Sequence, residues 1–189
     1  MPTNSETFAH PPAHTPAHQD VLCELIENRT ARIGVIGLGY VGLPLVLLLS
    51  EQKFRVTGFD IDQQKVATLM QGDSYIVRIP STEIHAAQAA GFTATTDYSR
   101  IAEMDAVLIA VPTPLNQHHE PDLSFIVATA EAIAPHLRPG QLIILESTTY
   151  PGTTEELLVP ILEKNPRGLK AARADKWRSY IFCCLFPRA

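Results

Sequence analysis

The stretch 32-RIGVIGLGYVGLPLVLLL-49 decides the fold of this 189-residue chain. It contains the spacing G-x-G-x-x-G at Gly37, Gly39 and Gly42, between one apolar segment of strand length and another of helix length. In a strand–loop–helix unit these glycines permit a tight turn, close approach of a diphosphate, and close packing of helix on strand. The helix N-terminus adds N–H groups and partial positive charge. The stretch predicts a dinucleotide site, with a glycine-rich turn that binds nothing as the alternative.

A second signal lies 18 residues beyond Gly42, where the strand-like segment 54–59 ends in Asp60. A carboxylate at this place accepts hydrogen bonds from an adenosine ribose and repels a 2′-phosphate. Asp60 therefore favours NAD as the cofactor. Lys65, on the next predicted helix, could reach a cofactor phosphate or ribose, and a solvated surface lysine is the alternative.

The composition is that of a globular protein with one well-buried domain. Hydrophobic residues make up 46% of the chain and charged residues 19%, which is ordinary for such a domain. No apolar run approaches the length of a membrane span and no signal peptide is visible, so we expect a cytoplasmic protein with no membrane partner. Of the three cysteines, Cys183 and Cys184 are adjacent. That spacing favours neither a disulfide framework nor a metal site.

Apolar and helix-like segments alternate from residue 31 onward, which predicts an α/β fold with a doubly wound, mostly parallel sheet of the Rossmann type. The expected strands are 33–36, 55–59, 92–95, 106–111 and 142–145, and the expected helices are 40–50, 62–71, 82–90 and 123–136. A last helix should begin at Thr153 with a capping box and be kinked at Pro160. The predicted domain covers residues 19–168 and includes a short helix before the first strand.

The two ends of the chain differ from this domain. Residues 1–18 are rich in Pro, His, Thr and Ala, which predicts a disordered tail and no metal site. Residues 169–189 form an atypical, basic tail: six basic side chains and one acidic fall within 166–189, against nine basic and nineteen acidic in 1–165. This tail is short and has no amphipathic period, so we predict no nucleic-acid partner.

The loops that follow the predicted fourth and fifth strands hold the candidate catalytic groups, because ligands bind outside the carboxyl ends of parallel strands. Two prolines fix the backbone around Thr113 and leave its hydroxyl as the main polar group. That hydroxyl could position water or substrate near a nicotinamide, or the segment is only a rigid turn. Ser147 and Thr148 present the same alternatives, and Glu146 is a general base or a solvated carboxylate.

Five segments, in this order and spacing, resemble the N-terminal domain of the UDP-glucose/GDP-mannose dehydrogenase family: 36–44, 58–62, 72–76, 111–114 and 146–154. The resemblance runs from about Arg32 to about Gly168 and is strongest to the UDP-N-acetylglucosamine 6-dehydrogenase branch. It implies NAD-dependent oxidation of a sugar C6 alcohol to a carboxylate by two hydride transfers, for surface polysaccharide synthesis. By position it implies that the pyrophosphate is lined by Gly37, Gly39, Tyr40 and Val41, the adenosine ribose by Asp60 with Lys65 at the same end, and the nicotinamide side by Thr113 and Thr148.

The resemblance implies a longer chain of three parts, in which the nucleophilic cysteine, a lysine and an asparagine lie in the later parts. Cys183 and Cys184 lack the glycine-rich surroundings of that nucleophile. Without the thiol the second oxidation has no covalent intermediate, so we expect a truncated chain that is inactive alone. A UDP-sugar would bind only if the missing domain were supplied, and uncovered apolar surface would favour self-association.

Two other functions fit the residues and leave open whether the chain is an enzyme. One is a hydroxyacid dehydrogenase-like domain with a similar glycine loop. The other is a non-catalytic nucleotide-binding or interaction module, which fold alone does not exclude.

The unusual C-terminal sequence predicts a shift of reading frame near residues 170–175. The resemblance implies a strand leading into Ala-Phe-Ser-Pro-Glu-Arg at this place. This chain instead ends in CLFPRA at 184–189. Codons allowed for CLFPRA, read one base later, can spell the family's hexapeptide. Sequencing the gene through its stop codon should reveal the shifted continuation, and a gene without it would dispose of the hypothesis.

Overall fold

The computed structural model describes residues 18–115, 121–172 and 182–186, which form α-helices and strands in an alternating order. In chain order these are α1 (His18–Glu27), β1 (Arg32–Ile36), α2 (Gly42–Glu51), β2 (Arg55–Phe59), α3 (Gln63–Met70), α4 (Ser81–Ala89), β3 (Thr93–Thr95), β4 (Ala106–Ile109), α5 (Ser124–Ile133), β5 (Leu142–Leu145), α6 (Val159–Leu162), β6 (Lys170–Ala172) and β7 (Phe182–Phe186). Short 3₁₀ helices cover Tyr98–Glu103 and Ala134–His136. The tail predicted for residues 1–18 lies outside the described residues, except for His18, which begins α1.

The strands form one sheet in the order β3-β2-β1-β4-β5-β7-β6. The first five strands of that order are parallel to one another, and β7 runs antiparallel to both of its neighbours. The prediction of a doubly wound, mostly parallel sheet is confirmed. The strand order reverses between β1 and β4, and a crevice forms outside the carboxyl ends of strands at such a switch point.

Both faces of the sheet are buried, because alternate residues of a strand enter two different cores. In β5, Leu142 packs in the core beneath α1, α2, α3 and α4, whereas Ile143 and Leu145 pack in the core beneath α5 and α6. Strand β4 shows the same alternation, with Ala106 in the first core and Val107 in the second. With both faces covered, ligands can approach the sheet only at the ends of its strands. In the described part of the chain, no helix is long and apolar enough to cross a membrane.

A polar network closes the amino ends of the central strands. Gln141 is fully buried, donates from Nε2 to the Ile101 carbonyl at 2.7 Å and accepts the Arg138 amide at 2.7 Å. Asp105 accepts the Arg32 amide at 2.8 Å and pairs with the Arg138 guanidinium. Buried polar groups that find such partners within the chain stabilise the fold. The carboxyl ends of the strands, at the opposite end of the sheet, remain available for a ligand.

The last helical segment begins at Thr153 as predicted, but its N-terminal capping differs from the prediction. The Thr153 hydroxyl donates to the Tyr150 carbonyl at 2.8 Å and caps no amide, so the expected capping box is wrong. A π-helical turn, Thr154–Leu158, precedes α6, and the Val159 amide donates to the carbonyl five residues back. Pro160 accounts for the widened turn, since its ring would collide with the carbonyl four residues back in a regular α-helix.

The basic tail predicted for residues 169–189 contributes strands to the sheet. Two of its segments form β6 and β7, and β7 pairs with the edge of β5 in the register Leu142↔Cys184. Main-chain hydrogen bonds to an open sheet edge depend little on the identity of the added side chains. The atypical composition of these two segments therefore does not prevent their pairing.

The loop between β1 and α2 depends on the absence of side chains at two of its glycines. Gly37 has φ of +90°, and a Cβ atom there would lie 2.6 Å from the Ala110 carbonyl oxygen. A Cβ atom at Gly42 would lie 1.8 Å from the Gly37 carbonyl oxygen, whereas one at Gly39 would meet no atom within 4 Å. Gly37 and Gly42 therefore let α2 pack against the sheet, and Gly39 leaves open space beside the loop.

Substitution of two of these glycines by alanine should cost unequal amounts of stability. Gly42→Ala should lower the free energy of unfolding by about 3 kcal/mol, because backbone must move to admit the methyl group. Gly39→Ala, the matched control, should cost less than about 1 kcal/mol. Urea denaturation measures both, and equal losses would contradict this account of the loop.

Tyr98 should make the stability fall at alkaline pH. Its ring lies 5.9 Å from that of Phe59, and burial, with a smaller contribution from Asp60, raises the pKa of Tyr98 from 10.0 to about 12. A pKa raised in the folded state contributes stability that is present below the unfolded value and lost as pH rises through the folded value. Between about pH 9 and about pH 11 the free energy of unfolding of the unsubstituted chain should fall by roughly 1 kcal/mol more than that of Tyr98→Phe, after allowance for solvent screening. Denaturation across this range measures the difference, and parallel stability curves would contradict it.

Candidate functional site

A cleft of about 840 Å³ lies at the carboxyl ends of β1, β2, β4 and β5. Loops after these four strands and one face of α5 form its walls. The structure brings all eight residues predicted from the sequence together in this cleft: Gly37, Gly39, Tyr40, Val41, Asp60, Lys65, Thr113 and Thr148. They come from four separate parts of the chain. They meet because the carboxyl ends of parallel strands lie on the same side of the sheet.

The N-terminus of α2 offers main-chain donors at the cleft. Its first turn contains no acidic side chain, and Val41 at the N-cap supplies no side-chain hydrogen bond. The amides of Tyr40 and Val41 donate to no other described residue. Free amides and the helix dipole both favour an anion at such an end. With open space beside Gly39, this end of the cleft can hold a phosphate or diphosphate.

Asp60 is a buried carboxylate at the end of β2, with only 6% of its surface exposed. Its Oδ2 atom accepts the Leu38 amide at 2.9 Å, and its Oδ1 atom accepts the Asp62 amide at 2.9 Å. Lys65 Nζ lies 3.7 Å from Oδ2. These donors fix the orientation of the carboxylate, and since each oxygen has two acceptor sites, capacity remains for hydroxyl groups of a ligand.

Tyr75 connects the segment between α3 and α4 to the glycine loop. Its hydroxyl donates to the Leu38 carbonyl, and Lys65 Nζ lies 6.0 Å from the centre of its ring. Burial, followed by the charges of Asp60 and Asp62, raises the pKa of Tyr75, so the hydroxyl stays a donor. Sequence reasoning gave this side chain no role. Its contact spans 37 residues, and no periodicity or spacing signals a contact of that kind.

Two hydroxyl groups remain available at the other end of the cleft. Thr113 is half-buried and Thr148 is exposed, and neither side chain has a hydrogen-bond partner among the described residues. Ser147 differs, because its hydroxyl donates to the Val111 carbonyl at 2.7 Å and thereby ties the loop after β5 to the loop after β4. Glu146 lines the cleft as an exposed side chain. Thr113 and Thr148 thus offer hydroxyls that a ligand can engage.

Apolar side chains are exposed around the cleft. Tyr40 is 84% exposed and Ile61 80% exposed, and Val41 and Phe125 are also exposed there. Exposed apolar groups around a concave site commonly contact the planar rings of a ligand. Within residues 18–115, 121–172 and 182–186, no three His, Cys, Asp or Glu side chains come together as metal ligands.

Comparison with known proteins agrees with this arrangement. Residues 31–176 match the model of the NAD binding domain of the UDP-glucose/GDP-mannose dehydrogenase family. The chain is 39% identical over 133 residues to a UDP-N-acetyl-D-glucosamine 6-dehydrogenase from Pseudomonas aeruginosa, covering 70% of this chain and 31% of that protein. It is 46% identical over 134 residues to an NDP-N-acetyl-D-galactosaminuronic acid dehydrogenase from Ralstonia nicotianae, covering 70% of this chain and 30% of the relative.

A solved structure shows the same fold. The NDP-N-acetyl-D-galactosaminuronic acid dehydrogenase from Methanosarcina mazei superposes with a TM-score of 0.68 at 35% identity, over 80% of this chain and 34% of that one. The chain thus spans about a third of the length of the relatives that it matches. The match of the family model over most of the chain shows that this protein belongs to the UDP-glucose/GDP-mannose dehydrogenase family, as its NAD-binding domain.

Proposed function

We propose that the cleft binds NAD with its diphosphate on the amides of residues 39–41, its adenosine ribose on Asp60 and its nicotinamide toward Thr113 and Thr148. The observation that carries this proposal is the pairing of two features at adjacent strand ends. Open space beside Gly39 adjoins the unpartnered N-terminus of α2, and a single buried carboxylate follows β2. Phosphate and ribose groups of a dinucleotide require these two features side by side.

The adenosine end supports NAD over NADP. The Asp60 carboxylate is fixed by two main-chain amides, so its charge cannot swing away from the ribose site. A 2′-phosphate would meet this negative charge at close range. Lys65 approaches the same carboxylate and partly neutralises it, and we assign Lys65 to the ribose and phosphate at this end of the cofactor.

At the nicotinamide end, Thr113 and Thr148 supply the hydroxyl groups that would orient the ring and a substrate or water beside it. When bound, NAD supplies the acceptor for hydride. The rigid prolines around Thr113 limit how far its hydroxyl can move. We assign Thr113 to positioning at the reacting centre, and we propose that the domain serves oxidation of a nucleotide sugar at C6.

Completion of that reaction requires groups beyond the described cleft. The relatives are about three times as long as the matched region, and a UDP-sugar pocket would need further protein to close over the cleft. The exposed apolar groups at its rim, including Tyr40, Ile61 and Phe125, support such a cover. In its absence the same side chains would favour self-association. We place the protein in the cytoplasm, where NAD and nucleotide sugars are available.

Titration with NAD tests the proposal. The chain should bind NAD measurably but weakly, because exposed side chains such as Tyr40 and Ile61 leave the cleft open to water. Asp60→Asn keeps the size of the side chain and an acceptor oxygen but removes the charge. It should lower the affinity for NAD about tenfold and narrow the preference for NAD over NADP.

The matched control is Asp20→Asn, an exposed acid on α1 that does not line the cleft. It should bind NAD as the unsubstituted chain does. Calorimetry gives the affinities, and circular dichroism shows that each variant is folded. Absence of NAD binding by the folded chain, or equal affinities of the two variants, would refute the proposed function.

A further inference from the structure

We propose that Tyr75 is a positioning residue that holds the peptide between Leu38 and Gly39 in the orientation that binds a diphosphate. This inference rests on the proposed function and adds a residue to it. Tyr75 lies in the segment between α3 and α4, far along the chain from the glycine loop, and its hydroxyl reaches the Leu38 carbonyl. It also lines the cleft.

Leu38 is held on both of its main-chain polar groups. Its amide donates to Asp60 Oδ2 at 2.9 Å, and its carbonyl accepts from the Tyr75 hydroxyl. Its side chain is fully buried in the first core. The residue is therefore fixed from three directions, by a carboxylate, a phenol and the packing of its side chain.

The direction of the Leu38 carbonyl determines the direction of the next amide. In a planar trans peptide the carbonyl oxygen and the following N–H point to opposite sides. A hydroxyl that fixes the Leu38 carbonyl therefore turns the Gly39 N–H the other way. That amide donates to no other described residue, so it is available to a phosphate oxygen.

Glycine by itself does not hold this peptide. A flip of the peptide rotates ψ of Leu38 and φ of Gly39, and glycine accepts positive and negative φ about equally. A Cβ atom at Gly39 would meet no atom within 4 Å, so no close neighbour confines the Gly39 Cα atom on that side. The flexibility that lets a diphosphate approach thus needs an outside restraint, and the Tyr75 hydroxyl provides one.

The segment that carries Tyr75 is itself anchored. Ile76 and Ile79 are buried in the first core, and the Ile79 amide donates to the Ile76 carbonyl at 2.9 Å. The Ser74 hydroxyl accepts the Ile76 amide at 3.1 Å. A phenol mounted on this segment can therefore act as a fixed point for the loop rather than move with it.

The test compares Tyr75→Phe with Tyr150→Phe in the full chain. Both changes remove one hydroxyl and keep the ring. Tyr150 is 45% exposed and does not line the cleft. Tyr75→Phe should move or broaden the ¹⁵N–¹H resonance of Gly39 in the ligand-free chain. It should also lower the affinities for ADP and for NAD by the same factor, about fivefold, and shift the ³¹P resonances of bound ADP. Tyr150→Phe should leave all of these unchanged.

Thermal unfolding of the same variants separates positioning from general support of the fold. An unchanged affinity for ADP in Tyr75→Phe overturns the proposal, whether or not the Gly39 resonance moves or the unfolding midpoint falls. A lower affinity for NAD with an unchanged affinity for ADP overturns it too, because the effect would then not lie at the diphosphate. Failure of the unsubstituted chain to bind either nucleotide overturns the proposed function as well.

Discussion

Helix α2 and the loop before it approach so closely that no side-chain atom fits between them, and the rest of the site depends on this contact. A Cβ atom at Gly42 would overlap the Gly37 carbonyl oxygen, and one at Gly37 would press on the backbone after β4. These two contacts set the position of the helix relative to β1 and β4. They bring the positive end of α2 to the switch point of the sheet, where an anion can be held without a cationic side chain.

The negative partner of this arrangement is a single buried carboxylate. Asp60 holds the Leu38 amide from one side while Tyr75 holds the Leu38 carbonyl from the other, so the loop and the end of β2 form one unit. The same charge contributes to the raised pKa of Tyr75 and of Tyr98. Two phenols are thereby kept protonated beside the cleft, and the site retains neutral donors near the buried carboxylate of Asp60.

Much of this could be predicted from the sequence because its signals are local. The glycine spacing, the acid at Asp60 and the apolar strands each depend on residues close together in the chain, and the structure has each of them in the expected element. The missed features depend on distant or main-chain contacts. The reach of Tyr75 to Leu38, the π-helical turn before α6 and the pairing of β7 with β5 leave no periodic pattern. The predicted capping box is wrong for a similar reason, since the Thr153 hydroxyl donates to a main-chain carbonyl of the preceding turn.

The buried glutamine at the amino ends of the strands has a consequence for how such a domain diversifies. Gln141 and the groups around it secure β1, β4 and β5 at the end remote from the cleft. The support of the central strands at their amino ends is therefore separate from the hydroxyls of Thr113 and Thr148, and exchange of those two side chains carries a small stability penalty. Substitutions at that end of the cleft can therefore change what it binds while the sheet persists.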